Sequence, residues 1–321
     1  MAMIDRLVIH IGPHKTGTTS IQKMLYNASR SENAKFIYPF TNSIEIGQHT
    51  FAQRAGEPHN PIFKEMLLEL KKANKTCVLS SEELCYLSDE ALASIREAFP
   101  QADVSIVFYQ RNILTLMHPW WQEKLKHGSV QPFLEFALDC LIMPHHLHLL
   151  VPNVLLEGWS KHFGRDAIQI FLFDQIPDVA SQFASDVLAL DFSQDGASVS
   201  NQSYGYADCE LIRFWNLHGF WGAGAIQSPE VHQIRSEFTE ISTHFLGEFQ
   251  LSFDIPAFAH IEQHLLSCWR DRIKGVNGDH LFTLRHKFFP YIKTDIWVAH
   301  QEFAERVRMF ADQRPEYSSW R

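Results

Sequence analysis

The sequence predicts an α/β fold, a parallel sheet flanked by helices with a helical C-terminal cap. Three observations carry that expectation. Short apolar runs alternate with helical periodicity through the first 175 residues. The runs lack the polar alternation of strands that face water on one side, so they suit a sheet covered on both faces. Beyond about residue 176 the periodicity is helical only, with no strand expected.

The candidate strands are Leu7–Ile11, Phe36–Tyr38, Cys77–Leu79, Val104–Tyr109 and Ile168–Phe173, rich in Val, Ile and Phe. The helices between them have readable ends. Ile21, Met24, Leu25 and Ala28 fall at i, i+3, i+4 and i+7 after the cap candidates Thr18 and Thr19. Ser88 caps a helix whose first turn carries Asp89 and Glu90 and which Pro100 stops. Leu155, Leu156, Trp159 and Phe163 mark another, ended by Gly164. Later helical segments fall near 178–190, 206–219, 228–250, 256–272 and 295–311. These make one domain over 1–321, an α/β core to about residue 200 followed by a helical part from 201.

Composition narrows the functional classes. Hydrophobic residues at 45% and charged residues at 20% are ordinary for a globular chain. A net charge of −9 argues against a general nucleic-acid or anionic-membrane binder, either of which needs a broad basic surface. The five cysteines are scattered without CxxC spacing and read as buried thiols of a reducing compartment. Residues 1–6 are too short and polar for a signal peptide, and no stretch approaches the ~18 apolar residues of a membrane span. The expected location is the cytoplasm.

The segment with the strongest chemical content is Gly12-Pro13-His14-Lys15-Thr16-Gly17-Thr18-Thr19, which follows a strand and opens a helix. Its glycines let successive amides turn toward an anion, and the helix N-terminus adds free N–H groups and a positive dipole end. Thr18 and Thr19 bring hydroxyls to the same place. A Walker A loop would have lysine directly after the second glycine, with Ser or Thr behind it for Mg²⁺. Here that position is Thr18, and the lysine lies inside the loop at Lys15, where it can neutralise charge on a departing phosphate.

The string from His10 through Gln22 resembles the P-loop sulfotransferases, especially bacterial members with a His-Lys-Thr-Gly-Thr-Thr loop after the first strand. The resemblance implies a nucleoside-kinase-like sheet, 3′-phosphoadenosine 5′-phosphosulfate (PAPS) as donor, and no metal requirement. Pro13, His14, Lys15, Thr16, Gly17, Thr18, Thr19 and Ser20 then hold the 5′-phosphosulfate. Weaker likenesses run down the chain: Ser80-Ser81-Glu82-Glu83 after the third strand, Leu156-x-x-Trp159 with Phe163-Gly164, and Asn201-x-Ser203 followed by Leu211-Ile212-Arg213 and Asn216. Past residue 217 the resemblance is weak. It further implies that Arg111, at the end of the fourth strand, and a serine seven or eight residues later hold the donor's 3′-phosphate. Arg111 fits, since a guanidinium offers a planar fork to phosphate. The serine positions hold His118 and Pro119 instead. His118 can donate from a ring nitrogen, Thr115 from one turn earlier, and Pro119 is expected to kink or restart the helix. Lys274-Gly275-Val276-Asn277-Gly278-Asp279 resembles a loop that closes over the same phosphate.

Attack on sulfur requires a base near the loop, at the C-terminal ends of the strands. Glu82, just past the third strand, is the first candidate and His49, after the second, is the other. Glu83 is the adjacent alternative, although its side chain is expected to point elsewhere. The cluster His145, His146, His148 lacks an i, i+4 pair with a nearby carboxylate and is not read as a metal site. Trp120 and Trp121 suit core packing, or the floor of a sugar cleft. The expected function is sulfuryl transfer from PAPS to a hydroxyl or amine of a small-molecule or glycan acceptor, by resemblance a carbohydrate. An ATP-dependent kinase on the same loop, or a non-catalytic nucleotide-binding protein, stays open as an alternative.

Overall fold

The computed structural model describes residues 4–57, 59–71, 75–143, 151–191, 204–219, 223, 226, 228–276, 278–292 and 301–312. All five expected strands form: β1 Arg6–His10, β2 Phe36–Ile37, β3 Thr76–Ser80, β4 Asp103–Gln110 and β5 Ile168–Leu172. The helices among them are α1 Thr18–Ala28, α2 His49–Ala55, α3 Pro61–Lys71, α4 Asp89–Ala98, α5 Ile113–Lys126, α6 Phe133–Ile142 and α7 Pro152–Phe163. α8 is the single turn Val179–Gln182, continued by a π-helical turn Phe183–Val187, and α9 is Tyr206–Leu217. Further helices lie at His232–Thr243, Pro256–Trp269 and Gln301–Asp312.

The expectation of no strand after residue 176 is corrected. Strands β6 Leu246–Ser252 and β8 His286–Ile292 pair antiparallel, and β7 Ile273–Lys274 joins the main sheet. β6 falls at the end of a stretch with helical periodicity, because its buried and exposed residues alternate too irregularly to show a period of two. Pro119 does not end α5, which runs through it.

Contacts divide the chain into two compact units. The first, residues 1–112, 147–197 and 260–283, holds a six-stranded parallel sheet in the order β2-β3-β1-β4-β5-β7. The register of its centre is Leu7 beside Cys77 and Val104, and Ile9 beside Leu79 and Ile106. Leu7, Val8 and Ile9 are fully buried, and β4 is buried beyond its first residue, which accounts for the apolar runs. Val8, Val78, Val107 and Phe171 pack with Ile21, Met24 and Leu25 of α1 and with Phe183 and Val187 of the π turn. α7 lies against β4 and β5, α4 against α7, and α3 against α4.

The second unit, 113–146, 198–259 and 284–321, is built on aromatic packing. Trp121, Phe133, Tyr206, Phe249 and Phe289 form a chain of ring contacts with centroids 5.2–6.3 Å apart. Trp121 is fully buried and donates to the Gln131 carbonyl at 2.8 Å, so it is core packing and not the floor of a cleft. Four of the cysteines are buried and the fifth, Cys268, is partly so. Among the described residues no helix is long and apolar enough to cross a membrane.

The Ser88 cap forms as expected, its Oγ accepting the Ala91 N–H at 3.3 Å. Ser88→Ala removes that acceptor and should lower unfolding free energy by ~1 kcal/mol, read as a fall in denaturant midpoint at constant m-value. An unchanged midpoint would mean that water replaces the cap without loss.

Candidate functional site

The glycine-rich loop leaves the C-terminal end of β1, between β3 and β4. The Ile11 N–H donates to Val107 O at 3.0 Å and the Tyr109 N–H to Gly12 O at 3.2 Å, so β4 guides the entry. The loop is folded around one acceptor, the Pro13 carbonyl, which takes the Thr16 hydroxyl at 2.6 Å and the Thr18 hydroxyl at 3.2 Å. The protons of these two hydroxyls therefore hold the loop's own shape. Thr19 and Ser20, less buried, carry hydroxyls on its outer side.

Gly17 caps α1 with φ 77° and ψ 16°, a left-handed conformation. A β-carbon there would lie 2.5 Å from Val179 Cγ2 and 3.3 Å from a Phe173 ring carbon. Glycine is required twice over, by the backbone and by the approach of α8. The expected Thr18 and Thr19 caps are replaced by this residue, which makes no side-chain bond. Ser20 and Ile21 donate their N–H groups to Gly17 O at 2.9 and 3.2 Å. The amides of Thr18 and Thr19 are then the first-turn donors left for an anion, at the positive end of the helix dipole.

Arg111 follows β4 and reaches the loop directly, donating from Nη1 to the Lys15 carbonyl. Its guanidinium lies 5.0 Å from the Phe173 ring centroid, a cation–π distance. Burial lowers the Arg111 pKa, and Asp174 opposes the shift. Asp174 in turn accepts the Asn112 N–H at 2.6 Å, fixing the turn after the strand. Loop, Arg111 and Asp174 thus form one connected group.

His118 belongs to the second unit. Its ring is packed among Trp121, Phe133 and Tyr206 at 5.7–6.3 Å, and Nε2 makes no hydrogen bond among the described residues. Burial pushes its pKa down to about 4, with a smaller contribution from Lys287. It is a neutral imidazole at pH 7, so it can offer a phosphate an N–H but no charge. Lys274 is exposed at the end of β7, and Gly275 and Gly278 take positive φ, as a tight loop needs. His145, His146, His148, Asn201, Ser203 and Asn277 lie outside the described residues.

The base candidates come together. Gln48, fully buried, accepts the Ser80 N–H at 2.6 Å and donates to Pro39 O at 2.6 Å, which ties the start of α2 to the end of β3. His49, the next residue, then faces the turn Glu82–Tyr86. His49 Nδ1 and Glu83 Oε2 are 2.5 Å apart, and the Ser81 hydroxyl donates to the same oxygen. Glu83 therefore points at His49, which corrects the expectation that it points elsewhere. Glu82 Oε2 accepts from Gln22 Nε2 at 3.2 Å, and the Glu82 Cα would lie 3.2 Å from a β-carbon on Gly12, directly beneath the loop.

The electrostatics of the pair are reciprocal. The Glu83 hydrogen bond raises the His49 pKa above its ordinary value against the effect of burial, aided by the charges of Glu83, Glu82 and Glu45. Burial would raise the Glu83 carboxyl, but bonds from His49 and Ser81 outweigh it and hold it down at about 2. Donor atoms of His49, Glu82 and Glu83 lie within 4.8 Å of one another, a spacing a divalent cation could span. Such an ion would have to break the His49–Glu83 bond to bind all three.

Sequence reasoning missed Gln22, Gly47, Gln48 and the role of Glu83. Gln22 had a signal: it is a polar residue four after Thr18, on the face of α1 that the apolar residues bury.

No family model matches the chain, and no curated protein does. Among solved structures, the chain is similar to a sulfotransferase from Alicyclobacillus acidocaldarius, with 15% identity and a TM-score of 0.42. The match covers 70% of this chain and 96% of that one.

Gly17→Ala places a methyl group against Val179 in a left-handed conformation that costs an L-residue ~1–2 kcal/mol before any clash. The variant should melt several degrees below the parent and bind phosphate-bearing ligands more weakly. Parent-like melting would mean that the loop can move away from α8.

Proposed function

We propose that the chain is a sulfotransferase, moving the sulfuryl group of PAPS in line to a hydroxyl or amine of a small-molecule or glycan acceptor. The supporting observation is the loop itself. Its fold is completed by its own threonines and Arg111, so the Thr18 and Thr19 amides face a doubly charged 5′-group at the start of α1. Lys15 offsets charge growing on the 5′-phosphate as the bond to sulfur breaks. Arg111 serves the 3′-phosphate beside its bond to the loop. Glu82 or His49 takes the acceptor's proton. Catalysis is then mainly positioning and electrostatic stabilisation, as in phosphoryl transfer. A carbohydrate acceptor rests on the sequence resemblance.

Adenosine 3′,5′-bisphosphate should raise the melting temperature more than ADP does. A ligand at 100 times its dissociation constant adds ~2.7 kcal/mol to the native state. Arg111→Ala should abolish the difference, and should weaken both ligands because the Lys15 carbonyl loses its brace. Equal stabilisation by the two ligands in the parent would contradict the 3′-phosphate assignment.

Lys15→Ala should lower kcat on the order of 10²-fold or more while changing donor affinity far less, since the ammonium acts on charge that grows in the transition state. A loss of donor affinity with kcat intact would make Lys15 a binding residue only.

A further inference from the structure

The three acid–base side chains next to the loop are not equivalent. His49 Nδ1 is engaged by Glu83 at 2.5 Å, and the same Glu83 oxygen is engaged by Ser81. Glu83 is itself braced, its N–H donating to Ser81 Oγ at 3.3 Å. The carboxylate accepts two donors, so Nδ1 must carry the proton that His49 contributes. A neutral ring with hydrogen on Nδ1 has its lone pair on Nε2. Nε2 makes no hydrogen bond among the described residues. A β-carbon on Gly47 would stand 2.6 Å from Nε2 and 2.8 Å from both polar atoms of the Gln22 amide. Nε2 thus packs against Gly47 beside the Gln22 amide, a side chain of α1 one turn beyond Thr18. Glu82, by contrast, has its Oε2 engaged by Gln22.

We propose that Glu83 is the positioning residue of a His49–Glu83 dyad in which Nε2 of His49, and not Glu82, takes the acceptor's proton. The inference rests on the sulfotransferase reading for the identity of the reaction. As the acceptor oxygen forms its bond to sulfur, the bond from sulfur to the 5′-phosphate oxygen breaks and its electron pair leaves on the bisphosphate. The acceptor's proton moves to Nε2, leaving an imidazolium beside the Glu83 carboxylate. Glu83 fixes the tautomer and stabilises that cation without taking the proton.

The charged groups around the ring agree with this assignment. Glu83 and Glu82 face it from the turn after β3 and Glu45 from the loop before α2, where Glu45 also accepts the Thr50 N–H at 2.6 Å. All are anionic and all raise the basicity of His49. A base must be unprotonated to act, so kcat should fall as pH drops through the His49 pKa, which lies above its ordinary value of 6.5. Glu83→Gln removes the strongest of these influences and should move that limb to lower pH.

Two readouts test the dyad on the full chain. Ring nitrogen-15 NMR should show His49 with hydrogen on Nδ1 and a bare Nε2 at pH 8, and its pKa should drop in Glu83→Gln. The pH profile of kcat with saturating PAPS should show its acid limb moving by the same amount. Glu83→Gln should lose part of the ~10²–10⁴-fold that a positioned general base contributes, and His49→Ala the whole of it. Melting curves should show both variants folded, since the two side chains are 45% and 43% exposed. An acid limb unmoved in Glu83→Gln would overturn the proposal and leave a structural staple between α2 and the turn. Collapse of kcat in Glu82→Gln with near-normal His49→Ala would overturn it in favour of Glu82. Activity lost to EDTA and restored by a divalent cation would overturn it in favour of a metal on the same three side chains. Should the parent transfer no sulfuryl group at any pH, the sulfotransferase reading fails, and the ring spectra alone still decide whether the dyad exists.

Discussion

The glycine-rich loop keeps its shape because a single carbonyl, that of Pro13, gathers the hydroxyls of Thr16 and Thr18, while Gly17 lets the chain pass within contact of Val179. Satisfying this acceptor internally fixes the course of the loop with its own side chains. The sheet supplies the other half of the constraint. β1 is central, with β3 and β4 on either side, so the segments leaving these three parallel strands emerge at the same edge. The loop, the Ser81–Glu83 turn and Arg111 are those three continuations, and their closeness is set by strand order.

Polar side chains at this edge are held by specific partners. Gln48, buried completely, spends its amide on the backbone of β3 and the preceding loop, and so sets where α2 begins. His49 inherits its position from that arrangement. Gln22 links α1 to Glu82, so the helix that opens at the loop also reaches the acid–base group. Buried polar groups of this kind are costly unless paired, and each of these is paired. Such a network couples the placement of His49 and Glu83 to the start of α2 and the end of β3.

The parallel sheet was legible because burial on both faces leaves strands apolar along their whole length, as β1 and β4 show. The loop was legible because its glycines, lysine and threonines must stand in a fixed order after a strand. The place of Arg111 at the end of β4 was legible from the apolar run before it, whereas its bond to the Lys15 carbonyl was not. β6 and β8 escaped because a strand pair with one irregular exposed face carries no clear period. The direction of Glu83 was not legible because adjacent side chains diverge in a strand, whereas residues 82–86 form a 3₁₀ turn that brings Glu83 round to His49. Gln22, Gln48 and Gly47 act through contacts between elements distant in sequence, which spacing along one segment cannot reveal.

The central claim is that this edge of the sheet transfers a sulfuryl group, and labelled donor tests it most directly. PAPS carrying sulfur-35 should be incubated with the chain and a panel of acceptors weighted toward carbohydrates, and both label and nucleotide followed. The account predicts label appearing on an acceptor with one equivalent of adenosine 3′,5′-bisphosphate released for each transfer. Label remaining on the donor across the panel, with phosphate moving from ATP to an acceptor under the same conditions, would contradict it.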